Sequence, residues 1–267
     1  MSPTHLFPFG QPLKKVVQLN RTPKKVFVLG VYASAVHARW IDSKGIQKVA
    51  ALAVASEPEI FWRGGNADTI ISAIEIPEEL GKLVVPGRNL NGPSGRTLDE
   101  KILTPLGLTW EDTWLCDLLP ESRINPNQQK AIIKHYTPDI IKQFKLSPAT
   151  VPVFDKKELD SELRRMEILN ELEESQAGTL ILLGDLPIYW FLRFYSNINV
   201  RKLSGFGETN DLYGKPHEVK INRKMYHVLP LCHPRQMNRL GVSSAKWELL
   251  HEYWISEKSN YKDSGKD

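Results

Sequence analysis

Lys25-Val26-Phe27-Val28-Leu29-Gly30 is the stretch on which the fold turns. Its apolar core is β-branched, bounded by Pro23 and Gly30, and too short for a helix, which is the pattern of a strand buried on both faces. Thr113 to Leu118, Thr179 to Leu183 and Met225 to Leu231 repeat that pattern. Ala38 to Ile41 and Gln47 to Val54 flank Asp42-Ser43-Lys44-Gly45, a turn signal, and predict a hairpin. Helical patterns separate the strands. The alternation predicts an α/β fold, a three-layer α/β/α sandwich with a mainly parallel central sheet.

Asp155 and Glu158 make a D-x-x-E helix start before Leu159, Leu163, Met166 and Leu172, read as one packing stripe. A last helix starting at Ser243 or Ser244 turns Trp247, Leu250 and Trp254 onto one face. Leu146 to Pro152 reads as a loop inserted within one domain. The expected organisation is an N-terminal extension over 1–24, one α/β domain over 25–256 and a frayed tail over 257–267.

A chain of 267 residues with 41% hydrophobic residues can bury a full core. No run of 18 apolar residues spans a membrane, and Pro3 and Pro8 interrupt the N-terminus, so the expectation is a cytoplasmic protein without a membrane partner. Two cysteines, Cys116 and Cys232, exclude a disulfide framework or a four-cysteine cluster within one chain, and each lies in an apolar run that predicts a buried, unreactive thiol. The formal charge of +4 permits contact with a phosphate backbone without requiring it.

Three segments carry candidate chemistry. Gly87-Arg88-Asn89-Leu90-Asn91-Gly92-Pro93-Ser94-Gly95-Arg96-Thr97-Leu98-Asp99-Glu100 is a glycine-punctuated loop opening a helix whose amides can face an anion. Cys116-Asp117 and Cys232-His233-Pro234 place polar side chains at the ends of hydrophobic strands, where open α/β sheets hold ligands. Each also has a plain structural reading: a surface loop entering a helix, a carboxylate paired with a loop amide or with Arg123, and a capping histidine.

Taken together the segments resemble the uracil-DNA glycosylase superfamily, nearest to its thermophile-type (family 4) members, without their iron–sulfur cysteines. The match runs through Gly107 to Asp112, Arg123-Ile124-Asn125-Pro126 and Cys232 to Gln236, with unmatched insertions between Trp40 and Val85 and around 146–160. The resemblance implies a monofunctional DNA glycosylase for DNA repair. It would hydrolyse the N-glycosidic bond of a flipped base, act as a monomer on single-stranded or damaged duplex DNA, and need no metal or cofactor. It casts His233, Asp117 and Tyr32 as catalytic. Gly30, Val31, Leu90 and Asp117 would contact the base. Arg88, Ser94, Arg96, Arg235, Gln236, Asn238 and Arg239 would contact DNA, with Met237 or Leu240 as a wedge.

The chain departs from the family at three places. Asp117 stands where the family has asparagine, Leu90 replaces a stacking aromatic, and Gly30-Val31-Tyr32-Ala33-Ser34 has no acidic or amide residue to position water. Ser34 and His37 are further candidates there, the histidine as a base. Asp185 follows the next strand, as a crevice residue or a helix cap. Trp40, Phe61 and Trp62 with Arg39 and Arg63 read as a stacking and phosphate-binding surface or as core. The alternatives are a catalytically inactive nucleic-acid- or nucleotide-binding protein of the same fold, and a small-molecule hydrolase using Asp117 or Asp185 with His233.

Overall fold

An apolar strand covered on both faces has no water to satisfy its amides, so Val26 to Leu29 must pair on both edges. The computed structural model describes residues 4–238 and 244–263. Its strands are β1 (Val26–Tyr32), β2 (Ala35–Ile41), β3 (Gln47–Ser56), β4 (Lys82–Val84), β5 (Thr113–Leu119), β6 (Thr179–Leu183), β7 (His217–Ile221) and β8 (Lys224–Leu231). They form a five-stranded sheet in the order β5-β1-β6-β8-β7 and a three-stranded sheet in the order β3-β2-β4. The protein is mixed α/β.

β1 runs parallel to β6, and β6 parallel to β8, while β7 closes the edge antiparallel. Lys25 and Val26 both donate their N–H to the carbonyl of Asp112, so β5 begins beside the start of β1 and runs the same way. The carboxyl ends of β5, β1, β6 and β8 therefore share one edge of the sheet. On the outer side of β5, the Leu115 N–H donates to Gln18 Oε1 at 3.1 Å.

Contacts gather the chain into two compact units. One comprises Met1–Val16, Tyr32–Pro93 and Pro120–Glu158; the other comprises Val17–Val31, Ser94–Leu119 and Leu159–Asp267. The first holds the predicted hairpin: Asp42 Oδ1 accepts from the N–H groups of Lys44 and Ile46, and β2 pairs antiparallel with β3. Its core includes Phe7, Trp40, Leu52, Ile71, Ile124 and Tyr136. Leu146 to Pro152 belongs to this unit, where the Thr150 and Val151 N–H groups donate to Leu6. The second unit packs Phe27 over Trp114, with ring centroids 6.4 Å apart, and closes with the helix Ser244–Asp263. Trp247, Leu250 and Trp254 are buried as predicted.

The stripe over 159–172 differs from expectation. Asp155 and Glu158 cap only a short turn, Lys156–Leu159, and the helix proper, Glu162–Glu174, starts from Ser161, whose hydroxyl accepts the Arg164 N–H. Leu172 stands two and a half turns from Leu163 and so lies on the opposite side of the helix, which leaves Leu163 76% exposed and Met166 half-exposed while Arg165, Ile168, Glu171 and Leu172 are buried. No helix among the described residues is long and apolar enough to cross a membrane.

Candidate functional site

In the parallel part of the sheet, the chain leaves β1 toward β5 on one side and toward β6 on the other. Ligands in such sheets sit in the crevice outside the carboxyl ends where the winding direction reverses. Here that point lies between β1 and β6, and a glycine stands at each strand end, Gly30 in β1 and Gly184 just after β6. Gly184 has φ +84°, donates its N–H to the carbonyl of Leu231 at 2.8 Å, and passes so close to His233 that a Cβ would lie 3.4 Å from the histidine Cβ. Asp117 in β5 and His233 after β8 lie one strand further out on either side.

His233 is the N-cap of the short helix Pro234–Met237. Its Nδ1 accepts the Arg235 N–H at 3.2 Å, and its own N–H donates to Gln236 Oε1 at 3.1 Å. Desolvation by the surrounding chain, with the charge of Arg235, lowers its pKa to about 4. A neutral ring whose Nδ1 accepts must carry its proton on Nε2, so the half-buried His233 presents one oriented N–H.

Buried groups hold this loop from beneath. Tyr213 accepts the Cys232 N–H at 3.0 Å and meets His251 Nδ1 at 2.8 Å, and His251 Nε2 donates to the Lys101 carbonyl at 2.8 Å. Lys101 Nζ donates to the carbonyl of Met237, and Asn238 Nδ2 to Thr97 Oγ1. Sequence reasoning missed Tyr213 and His251. Their partners lie 19 to 150 residues away, and no local pattern marks them.

Asp117 is 3% exposed, and among the described residues no donor reaches its carboxylate. Burial pushes its pKa up to about 7, against a lowering from Arg164. Arg123 pairs with Glu158 at 2.8 Å and with Glu121 at 3.7 Å. Both thiols are buried, and burial raises the Cys116 pKa and takes that of Cys232 to about 12. Such thiols are poor nucleophiles.

In the other unit, Leu90 is 39% exposed at the end of the turn Arg88–Leu90, and Arg88 is exposed beside it. His37 fixes this loop. Its Nδ1 donates to the Leu90 carbonyl at 3.0 Å, and its Nε2 accepts from the Gln128 side chain. Asn91 imitates a strand partner, accepting the His37 N–H at 2.8 Å and donating to the His37 carbonyl at 2.9 Å. With both ring nitrogens engaged and the ring buried, His37 is a structural pin, not a base. Replacing Asn91 by alanine strands two buried backbone groups on β2, and we expect a loss of about 2 kcal/mol, read as a lower urea midpoint.

Tyr32 packs against Phe154, with ring centroids 4.7 Å apart. Val31 is buried and apolar, and Ser34 is exposed and gives its carbonyl to the Ser122 hydroxyl. Trp40, Phe61 and Trp62 are buried, and Trp40 Nε1 donates to the Leu80 carbonyl, so they form core and not a stacking surface. Asp185 Oδ1 accepts the Leu203 N–H and ties down a loop. Met237 is fully buried and cannot act as a wedge. Ser94 and Arg96 are part-buried in the helix Pro93–Leu98, and Arg235 is exposed. Gln236 is engaged in the His233 cap. Arg239 and Leu240 lie outside the described residues.

Tyr32, Leu90 and Arg88 belong to the first unit, and Gly30, Val31, Asp117, His233, Ser94, Arg96, Arg235, Gln236 and Asn238 to the second. Among the described residues, no three His, Cys, Asp or Glu side chains gather as a metal site requires. No protein-family model matches the chain, and no curated protein matches it in sequence.

Acid stability follows from the buried rings. His37, His233 and His251 are each held neutral with pKa lowered to about 4, chiefly by burial, whereas unfolded histidine titrates near 6.5. Between those values the unfolded chain binds protons that the native rings refuse, so stability falls as pH drops, by about 1.4 kcal/mol per unit for each ring. Asp117, raised to about 7, works in the opposite sense over the same window but is one group against three. Urea midpoints should fall steadily from pH 6.5 to 4, and a flat profile would contradict the buried-ring assignment.

Proposed function

We propose that the chain is a DNA base-excision glycosylase-like protein that hydrolyses the N-glycosidic bond of a flipped base, with its second unit a uracil-DNA glycosylase-like α/β/α sandwich. The observation that carries this reading is the capped His233 ring, whose Nε2–H is fixed at the crevice edge of a parallel sheet. When water attacks C1′ and the C1′–N bond breaks, the bonding electrons pass to the base and negative charge collects on its carbonyls. A preoriented neutral donor stabilises that charge without being reorganised at the moment of reaction. Asp117 lies near the carboxyl end of β5, three strand steps from β8, a separation of about 14 Å between the two strands.

The test is incubation of the purified protein with oligonucleotides carrying uracil, hypoxanthine, xanthine or a mispaired base. Release of a free base, leaving an alkali-labile site, is expected for at least one. No release from any of them at high enzyme concentration overturns the reading. One observation favours a second reading, binding without chemistry: Val31, next to Gly30, is buried and offers no polar atom to a water. That reading gives salt-sensitive binding to single-stranded or damaged DNA with no base released.

A further inference from the structure

Side chains alternate across a strand, and in β5 the phase is fixed by contacts. Cys116 Sγ lies 3.2 Å from Arg164 Nη2, and Trp114 Nε1 donates to Glu171 Oε2 at 3.1 Å. Residues 114 and 116 thus face the helix Glu162–Glu174, and Asp117 projects from the opposite face. Arg164 does not reach across. Its Nη2 donates to the Asp117 backbone carbonyl at 2.7 Å, and its Nη1 lies 2.9 Å from Glu167 and 3.3 Å from Glu171. At the strand starts, Lys25 pairs with Asp112, and Arg21, over the Trp114 ring, pairs with Glu174. These charged groups make their ion pairs away from Asp117; among the described residues the buried Arg164 Nε has no partner, and the Asp117 carboxylate has neither a cation in contact nor a hydrogen-bond donor.

An ionised carboxylate in that setting is costly, and the neutral acid is the favoured form. The two forms read a base differently. A carboxylate only accepts, so it can take a ring N–H but repels the carbonyl beside it. A carboxylic acid both donates and accepts, which matches a lactam edge with two antiparallel hydrogen bonds.

We infer that Asp117 meets its ligand as a neutral carboxylic acid, donating O–H to a base carbonyl while its C=O accepts the adjacent ring N–H, so that the site takes oxo-bases through their lactam edge. This rests on the glycosylase reading for the ligand being a nucleobase. The raised pKa of about 7 agrees with it and sets the range in which the readout changes. Above that range the acid ionises, and lactam recognition weakens about tenfold per pH unit.

The experiment uses the full chain and free uracil as probe, with binding followed by calorimetry from pH 5.5 to 8.5 in the wild type and in Asp117→Asn, whose amide carries a donor and an acceptor at every pH. Carboxyl ¹³C resonances are followed in parallel, the Asp117 signal being the one absent from the variant, and thermal melts check that the variant is folded. The expected result is wild-type affinity that falls through pH 7 to 8.5, a pH-independent affinity in the variant, and an Asp117 carboxyl that titrates near neutrality. A carboxyl titrating in the ordinary acidic range, affinity that is flat or rises with pH in the wild type, or no uracil binding at any pH overturns the inference. Intact pH-dependent binding without base release from any oligonucleotide leaves the inference standing and removes the glycosylase reading alone.

Discussion

On the proposed glycosylase reading, replacing His233 by alanine should lower base release by about 10²- to 10³-fold, the typical effect of deleting one preorganised donor to a developing anion. The expectation comes from the cap. The Arg235 N–H holds Nδ1, the Gln236 side chain holds the backbone N–H, and Gly184 closes on the Cβ, so the proton on Nε2 keeps its aim before the bond breaks. Loss of such a donor should appear in the single-turnover rate while DNA binding changes little, because the interaction strengthens only as charge develops. Leu163→Gln, on the exposed side of its helix, is the control expected to behave like wild type. Equal losses in both variants, or a fall in DNA affinity that accounts for all of the lost rate, would remove His233 from the chemistry. Removing the cap acceptor also loosens the Pro234 turn, so a melt should show a loss of about 1 kcal/mol, small beside the rate effect.

Gly92→Ala should give a large loss of stability in the first unit. Gly92 sits at φ +68°, and a Cβ there would stand 2.1 Å from the Arg63 carbonyl carbon and 2.4 Å from the Gly64 nitrogen. Both obstacles are backbone, so no side chain can swing aside, and the 63–64 turn must move. The positive φ alone disfavours an L side chain, and with the clash we expect at least about 2 kcal/mol. Asn91 and Leu90 immediately precede it, so the His37 anchor of the loop should loosen too. Urea unfolding measures the first effect. The ring resonances of His37, shifted because its two nitrogens have fixed partners, measure the second. A wild-type midpoint and an unchanged His37 spectrum would show that this loop is not tightly seated.

Much of the sheet was legible because its strands are short, apolar and β-branched. β1, β5, β6 and β8 each carry that pattern, and Asp42 to Gly45 advertises the hairpin. The two strands not anticipated are edges. Lys82-Leu83-Val84 is too short to show any period. His217-Glu218-Val219-Lys220-Ile221 does alternate, and Asn222 after it adopts a positive φ of 55°, so this hairpin carries a local signal of its own. The stripe after Glu158 fails because the nine residues from Leu163 to Leu172 make two and a half turns, so the two leucines face opposite ways and the buried side is set by Ile168 and Leu172.

The site was legible in part, for a different reason. His233-Pro234-Arg235-Gln236 contains its own cap, with proline at the first helical position and glutamine three residues after the histidine, so its local geometry follows from local sequence. Asp117 was placed by the strand that carries it, but that no partner among the described residues reaches its carboxylate depends on which way Arg164 turns, 47 residues later. His37 looked like a base because nothing near it in sequence shows that Leu90 and Gln128 hold both nitrogens. Buried polar networks depend on folding to bring their members together, and pattern reading cannot supply those meetings.

Each unit draws on three separated stretches of chain, and this has a consequence for synthesis on the ribosome. β1 emerges early, yet one of its neighbours starts at Thr113 and the other at Thr179, and translation proceeds at roughly 5–20 residues per second. For several seconds the nascent chain displays Val26-Phe27-Val28-Leu29 with both hydrogen-bonding edges open, a template for association with other unfinished chains. Chaperone dependence during production should therefore exceed what the finished protein's stability suggests, and no contiguous fragment ending before Thr179 can bury that strand.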